Sequence, residues 1–112
     1  MANVGTLSHK ILKPSSFLAQ LVSALEERFA TRVGSPGNRM VVNYSTIRQS
    51  SNIELIVALE QGGVRIADFT NTSAVIYNKI WYDQIVEQLE KVRAMSARVE
   101  KRFTVYSINL HN

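Results

Sequence analysis

The sequence predicts an α+β domain: an antiparallel sheet of four to five strands, laid out as a meander and packed by two helices, in the order α-β-β-β-(β)-α-β. Three observations lead there. Apolar residues recur at helical spacing near the start of the chain and again in its last third. Between those stretches the apolar period falls to two. Clusters of Gly, Pro, Ser and Asn mark the changes of period.

Residues 1–13 alternate weakly and read as an N-terminal tail or an edge strand, with a single α+β domain over 14–112. Ser15 and Ser16 follow Pro14 and suit a helix start, because a serine hydroxyl accepts from the free backbone N–H groups of a first turn. Phe17, Leu18, Leu21, Val22, Leu25 and Phe29 then share one side of the helical wheel, which places a first helix at about Ser16–Val33. "GSPGN" turns the chain. "RMVVNYSTI" reads as a strand with Met40, Val42, Tyr44 and Thr46 on one face. "IELIVALE" reads as the next, with Ile53, Leu55, Val57 and Leu59 on one face and Glu54, Ile56, Ala58 and Glu60 on the other. "QGG" closes a tight hairpin into "VRIADF", since glycine takes positive φ without steric cost. "TNTS" punctuates, and "AVIYN" is a short fourth strand or the lead into a helix.

The second helix is placed at about Lys79–Arg102, with Trp81, Ile85, Leu89, Val92, Ser96 and Val99 on one arc and Trp81 anchoring it to the core. Asp83, Glu87 and Glu90 come early in it, and Arg98, Lys101 and Arg102 come late, the polarity that a helix dipole favours. "FTVYSINL" alternates again as a final strand, Phe103 and Val105 one way, Tyr106, Ile108 and Leu110 the other. The sheet's second face is not uniformly polar: Val41, Ile47, Ile56, Ala58, Ala67 and Phe69 are expected there, and such a face calls for a second cover.

Composition excludes several function classes. Zero cysteines rule out a disulfide framework, thiol catalysis and thiolate metal sites, and fit a reducing compartment. No apolar run approaches the roughly 20 residues of a membrane span, and the first residues lack a signal-peptide pattern. A soluble, cytoplasmic protein with no membrane partner is the expectation. The net charge of +4 is unevenly spread. Residues 1–48 hold six basic residues against two acidic, 49–90 two against six, and 91–112 five against one. Two basic ends hint at an anionic partner.

Catalytic constellations are missing. His9 and His111 lie near opposite termini with no ligand at metal spacing, and there is no phosphate loop and no nucleophile elbow. Asp68, the one acid inside a strand pattern, reads better as a carboxylate bonding the following turn than as an acid or base. No enzyme activity, cofactor or metal is therefore expected.

Two functions remain. The first is a small non-catalytic protein-interaction or assembly module, a homo-oligomer or part of a larger assembly, self-associating through an apolar sheet face formed by Ile47, Ile56 and Phe69. The alternative is a basic single-stranded nucleic-acid-binding protein that contacts an anionic partner through Arg28, Arg32, Arg93, Arg98, Lys101, Arg102, Tyr44 and Tyr106, with Phe69, Tyr77 and Phe103 as further aromatics for stacking. Over Arg39–Arg98, a strand meander running into a long helix with a tryptophan in its first turn resembles, in layout, the single-stranded-DNA-binding domains of transcription coactivators. That resemblance implies a nucleic-acid-binding sheet. The first helix and the final strand have no counterpart in it.

Overall fold

The computed structural model describes residues 12–30, 40–49, 52–96 and 102–108. Helix α1 (Ser16–Leu25) continues into a π-helical turn, Glu26–Ala30, and the sheet follows as β1 (Met40–Gln49), β2 (Asn52–Gln61), β3 (Val64–Phe69) and β4 (Ser73–Ile76). Helix α2 (Lys79–Met95) then leads to β5 (Thr104–Ser107). The α+β order is the one the periodicities predict. The strands lie side by side in chain order, β1-β2-β3-β4-β5.

The first three pairings are antiparallel and the last, β4 with β5, is parallel, so the sheet is mixed rather than a pure meander. The physical reason is α2. A hairpin reverses the chain at once, but a helix packed across the sheet returns it to the starting end, and the next strand runs the same way as the one before.

Each helix starts at a capping side chain. Ser15 Oγ accepts from the Leu18 N–H at 3.1 Å, and Asn78 Oδ1 accepts from the Trp81 N–H at 3.0 Å. Helix α2 is shorter than its apolar arc suggests. It ends at Met95, and Ser96 is already extended at φ −111 and ψ 126. A predicted first helix to Val33 likewise becomes an α-helix to Leu25 plus the π turn, and its last residues, with 97–101, lie outside the described residues. So does most of the 1–13 segment. Its end is anchored: Leu12 packs against the core, and the Lys13 carbonyl accepts from Asn71.

Both helices cover one face of the sheet. Phe17, Leu18, Leu21, Val22 and Leu25 of α1 and Ile85, Leu89 and Val92 of α2 join Val57, Leu59, Ala67, Phe69, Ala74 and Ile76 in one core cluster. The helices run in opposite directions. Phe29, on the π turn, meets Trp81 at the start of α2 edge-on at 4.9 Å, while Phe17, at the start of α1, meets Phe103 beyond the far end of α2 at 5.3 Å. Trp81 is half-buried, meets Phe29 edge-on and packs against the core cluster.

Two turns fix the strands. Gln61 pairs Val64 across Gly62 and Gly63, whose φ of 61 and 81 meet the demand of a two-residue hairpin. Between β3 and β4, Thr70 Oγ1 accepts from the N–H groups of Thr72 and Ser73, at 3.2 and 3.0 Å. The turn is therefore closed by Thr70, and Asn71 is left to reach outward. Its Oδ1 accepts from the Ser15 N–H at 2.6 Å and its amide donates to the Lys13 carbonyl at 3.3 Å. One side chain thus ties the lead-in to α1 to the turn between β3 and β4.

A one-residue bulge settles which side chains face the helices. Leu59 pairs Ala67 but Glu60 pairs Arg65, so Ile66 has no partner on β2. Ile66 and Ala67 are both buried in the core, while Arg65 and Asp68 come out on the opposite face. Phe69 pairs Val57 and is fully buried on the helix side. Ala67 and Phe69 are thus not on the second face where alternation within β3 had placed them. Alternation separates the two faces of one strand, but only the pairing register says which of them is inner.

Asn71→Ala leaves the Ser15 N–H and the Lys13 carbonyl without their partner. It is expected to lower stability by about 1–2 kcal/mol with an unchanged denaturant slope, measured by urea unfolding.

Candidate functional site

Two surfaces stand out: the sheet face that the helices leave bare and a groove in the helix layer. On the bare face, Asn43, Ala58, Asp68, Val75 and Tyr106 form one cross-strand row. Val41 and Ile47 flank that row on β1, Ile56 on β2, and Ile108 follows β5. Val41, Ile47, Tyr106 and Ile108 are 43%, 40%, 58% and 45% exposed, and Ile56 is half-buried. No described element lies over them.

A polar cluster occupies one part of this face. Arg65 bonds both oxygens of Asp68, at 2.8 and 3.1 Å, and lies 3.5 Å from Glu60. The Tyr77 hydroxyl donates to the second Asp68 oxygen at 2.6 Å. The bulge makes this possible by turning Arg65 and Asp68 out together. The carboxylate of Asp68 therefore serves Arg65 and Tyr77, and not the turn that follows it. Arg65 is half exposed, so the ion pairs are worth about 0–1 kcal/mol each. Together with Tyr77 they give both Asp68 oxygens hydrogen-bond partners. The hydrogen bond to Asp68, aided by burial and by the carboxylate charge, holds the Tyr77 proton above the ordinary phenol value of 10.0, with Arg65 opposing.

Of the side chains expected to meet an anion, Arg28, Arg93, Arg102, Tyr44 and Tyr106 fall within the described residues. Arg28 sits over the Phe29 ring at 5.1 Å and borders the groove beside Gln88 and Lys91. Arg93 is engaged elsewhere: it donates to Glu90 at 3.0 Å and to the Phe103 carbonyl at 3.2 Å, which pins the last turn of α2 to the lead-in to β5. Arg102 is exposed next to that site, and Arg32, Arg98 and Lys101 lie outside the described residues, as do His9 and His111. Tyr44 and Tyr106 lie on opposite edge strands and opposite faces. Edge strands of a five-strand sheet are roughly 19 Å apart, so one strand of bases cannot stack on both tyrosines as on a single platform. Burial, and next the Glu26 carboxylate, raise the Tyr44 phenol above 10.0. Phe69 and Phe103 are core residues.

The groove runs between α1 and α2 and encloses about 590 Å³. Gln88 lines it and is the one buried polar residue among those described, 4% exposed, its Nε2 without a hydrogen-bond partner. An orphaned buried amide costs about 1–3 kcal/mol, so its placement asks for an explanation. Sequence reading passed over it, although a signal was there. Gln88 falls about 20° beside the Trp81–Val99 arc at 100° per residue, where a glutamine is as buried as its apolar neighbours.

Among the described residues no group of three or more His, Asp or Glu side chains could hold a metal, and no helix is long and apolar enough to cross a membrane. No protein-family model, curated protein or solved structure matches the chain.

The Tyr77 phenol is expected to titrate above 10.0 and to fall back toward that value in Asp68→Asn, followed by carbon-13 shifts of the ring. A raised phenol pKa stabilises the fold below the unfolded value, and that contribution is lost as pH climbs through the folded one. The window therefore lies above pH 10.0, and the variant should lose less stability across it.

Proposed function

We propose that the protein is a small non-catalytic assembly module that associates with a second copy of itself through the bare face of its sheet. The observation that carries this reading is the set of exposed apolar side chains Val41, Ile47, Tyr106 and Ile108, with Ile56, on one face of a sheet whose opposite face already holds both helices. Sheets with apolar residues on both faces are stable when both are covered. Packed sheets stand about 10 Å apart, a spacing that side chains such as isoleucine and tyrosine fill.

Self-association suits the charges as well. Arg65 and Asp68 pair within the same chain, so neither of these two needs a charged partner across an interface. A two-fold contact also lets one patch satisfy its own copy, the commonest arrangement among oligomers. A chain without cysteines suits a reducing, cytoplasmic setting.

Light scattering over a range of concentrations, with and without a single-stranded oligonucleotide, tests the reading. A mass of at least twice 12.6 kDa is expected, falling to a single chain in Ile47→Asp/Ile56→Asp while the circular-dichroism spectrum is kept. A monomer at every concentration overturns it. An oligonucleotide bound in low salt and released steeply as salt rises would favour the nucleic-acid reading instead.

A further inference from the structure

We infer that the open edge of β1 pairs with the β1 of a second copy, antiparallel and centred on Tyr44, so that two sheets join into one. β1 ends the sheet, with β2 as its neighbour on one side. The direction of its free groups follows from the far end of β2. Gln61 and Val64 close a two-residue hairpin, so the Gln61 backbone bonds toward β3. Successive residues bond to opposite sides. Glu60, Ala58, Ile56 and Glu54 therefore bond toward β1, where they meet Val41, Asn43, Ser45 and Ile47. The backbone N–H and C=O groups of Val42, Tyr44 and Thr46 then point away from the sheet.

Edges of this kind are ordinarily protected by proline, lysine, a bulge or a short length. β1 has none of these. Its ten residues pair β2 without a register shift, neither proline nor lysine occurs in MVVNYSTIRQ, and its one charge, Arg48, stands near the end. The opposite edge strand, β5, is four residues long. From Asn43 to Arg48 the side chains of β1 are exposed on both faces.

The strand itself selects a second copy as its partner. Outward from Tyr44 its chemistry is nearly symmetric: Asn43 and Ser45 are polar, Val42 and Thr46 β-branched, Val41 and Ile47 aliphatic. An antiparallel copy centred on Tyr44 sets each of these against its counterpart and brings the free backbone groups of Val42 to those of Thr46. Sliding the copy by two residues, the smallest step that keeps the bonding groups facing, sets Asn43 against Ile47 in one direction and Val41 against Ser45 in the other. Arg48 falls opposite Met40, so the two arginines stay apart.

Tyr44 lies on the helix side, so a contact between bare faces leaves the two Tyr44 side chains pointing apart. Ile47, by contrast, takes part in both contacts. A probe at position 44 reads the edge alone, and this inference and the assembly proposal fail separately. The chain has no cysteine, so Tyr44→Cys supplies one thiol per copy. The two Cα atoms would stand about 5.5 Å apart, within disulfide reach. Oxidation by diamide is expected to give a covalent dimer. Arg48→Cys, roughly 26 Å from its copy in this register, should cross-link at least about tenfold more slowly. Thr46→Pro, added to Tyr44→Cys, removes an outward N–H and no bond to β2, and should slow the cross-link as much while the circular-dichroism spectrum is kept. In the wild-type chain, amide hydrogen exchange at Val42, Tyr44 and Thr46 should slow as the protein concentration rises. The inference is overturned if Tyr44→Cys cross-links no faster than Arg48→Cys, if Thr46→Pro leaves the rate unchanged, or if exchange at those amides is independent of concentration. Exchange that slows only when an extended valine–threonine peptide is added would give the edge to a foreign strand, and overturns it too.

Discussion

The row Tyr44–Val57–Phe69–Ala74–Val105 crosses all five strands on the side that both helices cover, and the other features of the molecule are arranged about it. Its middle members are fully buried, and its end on β1 is not, because helix cover stops short of that edge. Fully burying one large aliphatic or aromatic side chain contributes about 1.5–3 kcal/mol, and Val57 and Phe69 bring that burial to the two central strands together. Holding Phe69 in this row requires the register that the bulge at Ile66 supplies. The same bulge turns Arg65 and Asp68 outward and so creates the polar cluster on the other face. Core and surface chemistry are thus set by one irregularity in β3.

Much of this was legible in the sequence for physical reasons. The two periods are direct consequences of helix and strand geometry, so the identity and order of elements could be read off. The double glycine named its own turn, and Ser15 its own cap. What escaped depends on contacts between segments far apart in the chain. Alternation within β3 says nothing about which face Val57 will bring opposite Phe69, and a bulge has no local signature in "VRIADF". The direction of β5 depends on the path of α2 over the sheet. The apolar arc of the second helix continues through Val99, yet the helix stops at Met95, which periodicity cannot detect. Arg93 sat visibly on the flank of that arc; its partner, the Phe103 carbonyl, was invisible because backbone acceptors carry no letter in a sequence. Of the residues weighed for a self-association face, Ile47 and Ile56 lie on the bare face and Phe69 in the core.

The two faces of the molecule divide the chemistry. The helix side is dry beneath and grooved above, with one orphaned amide in the groove wall. The bare side mixes apolar residues with one ion pair satisfied inside the chain, Arg65–Asp68, and with Glu54 directly opposite Ile47. Covering that face has to accommodate a carboxylate as well as apolar side chains.

The parallel placement of β5 has a consequence for how the chain acquires its shape. The strands β1 to β4 meet their neighbours across short turns, so their pairing closes small loops at low entropic cost. By contrast, β5 must wait for the whole of α2 to be laid across the sheet before it finds β4, and the Arg93 bond to the Phe103 carbonyl forms only when that has happened. Assembly therefore has a natural sequence, meander first and closing strand last, and the β5 edge is the latest part of the sheet to be completed.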